Sequence, residues 1–147
     1  TNTNPIPLFN LNKQHTALRT EINEAVIRAL DSMHWILGPE NEGFEKEFAE
    51  LIGGKHCIAC SSGASAIQIA LSACGVGKGD HVITSPFTYR HYFLISLTGA
   101  EFSFADVDPV TGNLLPESIE KQIKNNTKAI LPVHIYGYPA DMDKIMA

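Results

Sequence analysis

Residues Cys60-Ser61-Ser62-Gly63-Ala64-Ser65-Ala66 combine hydroxyls, small side chains and one glycine between a short apolar run and a helical pattern. A strand that feeds a helix through small residues leaves backbone N–H groups and the positive helix end facing outward, which is the chemistry of anion binding. Gly63 permits close approach of a phosphate, and the serine hydroxyls add donors. The plainer reading is that Ser62 caps the helix and does nothing more. Further along, Phe87, Tyr89, Tyr92 and Phe93 are suited either to cover a flat ring or to pack in a core. The segment Pro132-Val133-His134-Ile135-Tyr136-Gly137 ends a predicted strand, where open α/β sheets bind ligands. His134 is therefore a pocket candidate, or a histidine that only satisfies a hydrogen bond.

Other patterns do not carry chemistry. Gly75-Val76-Gly77-Lys78-Gly79 lacks the Ser or Thr that follows the lysine of a phosphate loop, and it lies after a helix and before a strand. It reads as a turn. Cys57 and Cys60 form a CxxC, but on a strand residues three apart point to opposite faces, unlike a redox pair at a helix N-terminus. The six histidines have no ligand spacing such as HxxxH, so no metal site is expected.

The elements that must position these residues follow from periodicity. Thr16 to Met33 places Leu18, Ile22, Val26, Ala29, Leu30 and Met33 at helical spacing, after an N-terminal stretch that Pro5 and Pro7 make extended. A second helix is predicted from Glu42 to Leu51, and a third from Ala64 to Cys74. Strands are predicted at 57–60, His81 to Ser85, Glu101 to Val107 and Thr127 to Val133. Between them fall helices at Tyr89 to Leu97 and Pro116 to Lys124, and Asp141 is placed to cap a last one. Apolar strands alternating with helices mean βα units and a mostly parallel sheet. That last helix has no strand to return to, which leads to the expectation that the chain is the front part of a larger protein.

Composition bounds the function classes. With 147 residues, 44% of them hydrophobic, the chain can bury a core. Sixteen acidic against eleven basic residues give a net charge of -5, a poor match for nucleic acid or an anionic membrane. No apolar run approaches the roughly 20 residues of a membrane span. Three cysteines, an odd number, point to a reducing cytoplasm rather than a disulfide framework.

Taken in order, several blocks resemble the DegT family of pyridoxal-phosphate-dependent sugar aminotransferases. They are Ile36-Leu37-Gly38-Pro39 with Phe44-Glu45-Lys46-Glu47-Phe48-Ala49, Ser62-Gly63-Ala64-Ser65-Ala66-Ile67, and Gly79-Asp80-His81-Val82-Ile83. Gly99-Ala100, Asp106-Val107-Asp108, Thr127-Lys128-Ala129-Ile130, Pro132 to Gly137, and Pro139-Ala140-Asp141-Met142-Asp143 continue the match. The resemblance implies an α/β fold, the three-layer, mostly parallel sheet of the fold type I transferase large domain, present only in part. It implies an arm over residues 1–15 and, over 16–147, the N-terminal part of that large domain, the rest of it and the C-terminal small domain being absent. The implied cofactor is pyridoxal 5'-phosphate. The implied activity, in the intact protein, moves an amino group from an amino acid donor to a keto-sugar nucleotide, with a homodimer as the active form.

By position, the resemblance assigns the backbone amides of Ala64 and Ser65 to the cofactor phosphate, with Gly63 allowing approach, and Tyr89 to the pyridine ring. There are departures. The family's Asn-Gly-Thr is Ser62-Gly63-Ala64 here, Pro and Ser are transposed at Ser85-Pro86, and Arg90-His91-Tyr92 stands where the family has small residues. None of Lys13, Lys46, Lys55, Lys78, Lys121, Lys124, Lys128 or Lys144 falls at the family's cofactor-bonding position, so no catalytic residue is named. The alternatives are a non-catalytic remnant or dimerisation module of the same fold, and a dehydratase relative.

Overall fold

The computed structural model describes residues 6–89 and 91–147; the first five residues of the expected arm, and Arg90, lie outside the described residues. The chain divides into two compact units, Thr1–Ala59 and Cys60–Ala147. The first holds helices α1 (Asn12–Asp31) and α2 (Pro39–Leu51). Helix α1 starts at Asn12, earlier than its apolar stripe suggests, because nothing between Asn12 and Thr16 breaks a helix. Helix α2 starts at Pro39, three residues before the expected Glu42, because the proline's missing N–H costs nothing in a first turn.

The second unit runs α3 (Gly63–Ala73), β1 (His81–Thr84), α4 (His91–Leu97), β2 (Glu101–Phe104), α5 (Pro116–Gln122), β3 (Thr127–Leu131) and α6 (Met142–Met146). The strands form one parallel sheet in the order β2-β1-β3. Each strand pair is joined through a helix, as parallel pairing requires. Side chains alternate across the sheet. Val82 joins Leu71, Val76, Ile95 and Ala100 in a core on one face, with Phe102, Ala129 and Leu131 packed against it. Ile83 joins Ala105, Leu114 and Ile119 on the other, with Ile130 and Ile145. Helices α3 and α4 thus cover one face and α5 and α6 the other, which makes three layers. Val82 and Ile83 have no exposed surface, as expected for the central strand of a parallel sheet covered on both sides, and neither has Ile95 of α4, which packs with Val82.

The expected strand at 57–60 is not formed. A strand exists through its ladder partner, and among the described residues these four have none; Ile58 is 76% exposed, and the Ala59 N–H donates to Glu45 Oε1 at 2.7 Å instead. Periodicity marked an apolar run but could not supply its neighbour.

Candidate functional site

Helix α3 ends close in sequence to the start of β1, so it runs back along the sheet and its N-terminus lies toward the strands' C-terminal ends. That end of an open α/β sheet is where ligands bind. Ser62 is the N-cap, extended at φ -167°, and its Oγ accepts the Ser65 N–H at 3.2 Å. The Ser65 hydroxyl in turn lies 2.9 Å from Ser61 Oγ and 3.1 Å from Ser62 Oγ. The capping reading and the anion-binding reading therefore share residues. Ser62 engages the Ser65 amide, while the Gly63 and Ala64 amides have no partner among the described residues. A Cβ built on Gly63 meets nothing within 4 Å, so open space faces this turn. Two unspent donors, three clustered hydroxyls and a bare Cα form a surface that fits a phosphate.

Tyr89 lies in the segment that leaves the C-terminal end of β1, and its side chain is 81% exposed. The start of α4, by contrast, is tightly held. His91, its first residue, is only 5% exposed, and its Nε2 is hydrogen-bonded to Thr84 Oγ1 at the end of β1. Thr84 Oγ1 donates to the Leu131 carbonyl of β3 at 2.9 Å. A hydroxyl has one proton, so His91 Nε2 carries the hydrogen of the first bond, and its Nδ1 is left as a buried acceptor without a partner among the described residues. Burial holds the His91 pKa below its ordinary value. The residue that stands where the resemblance leads one to expect small side chains thus ties the segment after Tyr89 to two strands. The bulk of Tyr92 is absorbed by packing on Phe102 and Phe104, with ring centroids 5.7 Å from each.

A second histidine is buried within the sheet. His81 Nδ1 lies 2.9 Å from Thr127 Oγ1 on β3 and its Nε2 lies 3.0 Å from Ser103 Oγ on β2. One ring therefore crosses all three strands. Burial, with Lys124 nearby, lowers its pKa.

The loop after β3 leaves the same end of the sheet. His134 is exposed, and its Nδ1 accepts the Ala140 N–H at 3.0 Å, so it does satisfy a backbone donor. The residue that organises this loop was not foreseen. Asn113, 5% exposed, accepts the Ile135 N–H at 3.3 Å and donates to the carbonyls of Tyr138 and Pro139, both at 3.0 Å. Asn113 follows a turn in which Asp108 Oδ1 accepts the N–H groups of Val110 and Thr111, bonds that hold its carboxyl below the usual range. An Asp-x-x-x-Gly-Asn run reads as an ordinary surface turn; no periodicity reveals that its asparagine reaches residues 135–139.

Among the described residues there is no group of three or more His, Cys, Asp or Glu placed to hold a metal ion, and no helix long and apolar enough to cross a membrane.

Comparison with known proteins places this geometry in context. Residues 16–147 match the DegT/DnrJ/EryC1/StrS aminotransferase family. The chain is 41% identical over 143 residues to a pleiotropic regulatory protein of Geobacillus stearothermophilus, covering 97% of this chain and 38% of that protein. It is also 41% identical over 143 residues to UDP-2-acetamido-2-deoxy-3-oxo-D-glucuronate aminotransferase of Pseudomonas aeruginosa, covering 97% and 40%. The crystal structure of S. venezuelae DesV in complex with a ketimine intermediate superimposes with a TM-score of 0.90 at 41% identity, over 96% of this chain and 38% of that one. The chain spans about two-fifths of the length of these relatives.

Proposed function

Because this chain belongs to the DegT/DnrJ/EryC1/StrS aminotransferase family, we propose that it forms the cofactor-phosphate side of a pyridoxal-phosphate-dependent sugar aminotransferase. The observation that carries the proposal is the 41% identity, over 97% of the chain, to an enzyme that aminates a UDP-linked keto sugar. The fold agrees with it: α/β in three layers, as in the fold type I aminotransferases it superimposes on.

In this reading the Gly63 and Ala64 amides donate to the cofactor phosphate at the positive end of α3, an 11-residue helix. The Ser65 hydroxyl stands in for the threonine of the family pattern, supported by Ser61 and Ser62. The Ser65 amide joins only if it leaves the Ser62 hydroxyl. Tyr89 lies on the pyridine ring, and His91 holds the segment that carries it. The cofactor, when bound, supplies an electron sink at the reacting carbon. The lysine that bonds it and the carboxylate for its ring nitrogen are not assigned to any residue of these 147. Substrates of the whole protein are then an amino acid donor and a keto-sugar nucleotide, and a homodimer is the form in which it acts.

The test is an amino-transfer assay on the intact protein, with pyridoxal phosphate, glutamate and a UDP-linked 3-keto sugar. Amino sugar and 2-oxoglutarate are expected in equal amounts. Loss of a sugar hydroxyl without 2-oxoglutarate would instead identify a dehydratase.

A further inference from the structure

Tyr136 has φ 52° and ψ 23°, a left-handed conformation that strains any residue with a Cβ. The residue is 93% exposed, so burial of the side chain does not offset the strain. The surrounding bonds impose it. Asn113 holds Ile135 on one side of the tyrosine and Tyr138 and Pro139 on the other, and His134 Nδ1 holds Ala140. Gly112, at φ 73°, closes the turn from below; a Cβ there would lie 2.9 Å from the Phe87 ring and 3.1 Å from Ile135.

The locked turn presents Tyr136 edge-on to Phe87, with ring centroids 6.4 Å apart and planes at 74°. Phe87 leaves the C-terminal end of β1 and Tyr136 that of β3, so the pair stands at the ligand end of the sheet. Glycine would adopt this backbone without strain, and Gly137 beside it does so at φ 80°. A tyrosine at the strained position is explained if its side chain is needed.

We propose that Tyr136 is a substrate-contacting residue, held by this turn as a wall for the sugar ring of a keto-sugar nucleotide. The inference rests on the aminotransferase reading. An aromatic face accepts the C–H face of a pyranose, and the phenol can bond a sugar hydroxyl. The sugar is favoured over the base because Phe87 precedes Tyr89 by two residues, and the sugar carries the carbon that reacts at the cofactor.

The experiment compares the intact wild-type protein with Tyr136→Gly and Tyr136→Phe, measuring thermal midpoint and dissociation constants for pyridoxal phosphate, UDP-N-acetylglucosamine and UDP. Tyr136→Gly is expected to leave the midpoint unchanged or raise it by up to about 2 °C, because relief of the left-handed strain outweighs the entropy that glycine adds to the unfolded chain. It should weaken UDP-N-acetylglucosamine about tenfold or more, while UDP and pyridoxal phosphate stay within about twofold. Tyr136→Phe should retain the stability and lose only part of the affinity. A lowered midpoint in Tyr136→Gly would make the ring structural and overturn the proposal, and equal weakening of UDP would put the ring on the base. A wild-type protein that binds UDP-N-acetylglucosamine no better than UDP also overturns it. If wild type binds pyridoxal phosphate and the sugar nucleotide but Tyr136→Gly changes neither, the inference alone fails. If wild type does not bind pyridoxal phosphate, the aminotransferase reading fails with it.

Discussion

Replacing Gly63 by valine separates a phosphate site from a simple helix cap. Gly63 has an ordinary negative-φ backbone, and its Cβ position meets nothing within 4 Å, so the variant has no internal clash to relieve. Glycine is about 1 kcal/mol worse than alanine in a helix and valine about half that, so stability should move by no more than about 0.5 kcal/mol, in either direction. A bound phosphate meets a different outcome, because the new side chain occupies the space through which the Gly63 and Ala64 amides reach it. Hydrogen bonds to a charged group are worth about 1.5–3 kcal/mol each. Losing two at the low end is about 3 kcal/mol, or roughly 150-fold in dissociation constant. The assay is a fluorescence titration of intact wild-type and variant protein with pyridoxal phosphate and with pyridoxal, which lacks the phosphate, alongside thermal melts. The pyridoxal phosphate constant should rise by about two orders of magnitude and the pyridoxal constant hardly at all. A folded variant whose affinities both change less than about threefold would mean that residues 62–65 only cap α3. Equal weakening of both ligands would place the effect on the ring and not on the phosphate.

Thr84→Val keeps the shape but removes the hydroxyl between His91 and Leu131, leaving the buried His91 N–H unpaired and the part-buried Leu131 carbonyl without this donor; urea unfolding should show a loss of about 1–3 kcal/mol, and a change under about 0.5 would contradict the bonding described. Burial depresses the pKa values of His81 and His91 in the fold, so the unfolded chain takes up protons first as pH falls below about 6.5. Thermal midpoints should therefore fall between about pH 7 and 5, and His81→Gln should flatten that slope; an unchanged slope in the variant would mean that the His81 ring does not resist protonation. Gly112→Ala should cost about 1–2 kcal/mol from its positive φ alone and more from the contact with Phe87, and a denaturation midpoint equal to wild type would show the turn to be free to relax. Mixed with pyridoxal phosphate and borohydride, the 147-residue chain should label its lysines diffusely, as intact-mass and peptide mapping would show; stoichiometric labelling of one lysine would assign the cofactor-bonding role to that residue.

Local signals determined much of this protein. Small residues with hydroxyls at Ser62–Ser65 announced a capped helix start, and the alternation of apolar runs with helical stripes announced the βα units, because both depend on neighbours within a few residues. Asp141 was likewise legible as a cap, and its side chain does accept the Lys144 N–H. Tertiary structure decided what depends on distant partners. The run at 57–60 has the composition of a strand but, among the described residues, no ladder to join. His81 looked like one more residue of a buried strand, yet its ring joins Ser103 and Thr127, which lie 22 and 46 residues away. Asn113 carried no pattern, and Tyr136 lay in a segment noted only for its place at a strand end: the first acquires its role from a loop 22 to 26 residues downstream, and the second its strained backbone from that grip. Periodicity records which face of an element avoids water, whereas a hydrogen bond across the fold requires one donor and one acceptor brought together by packing, and that pairing leaves no periodic trace in the chain.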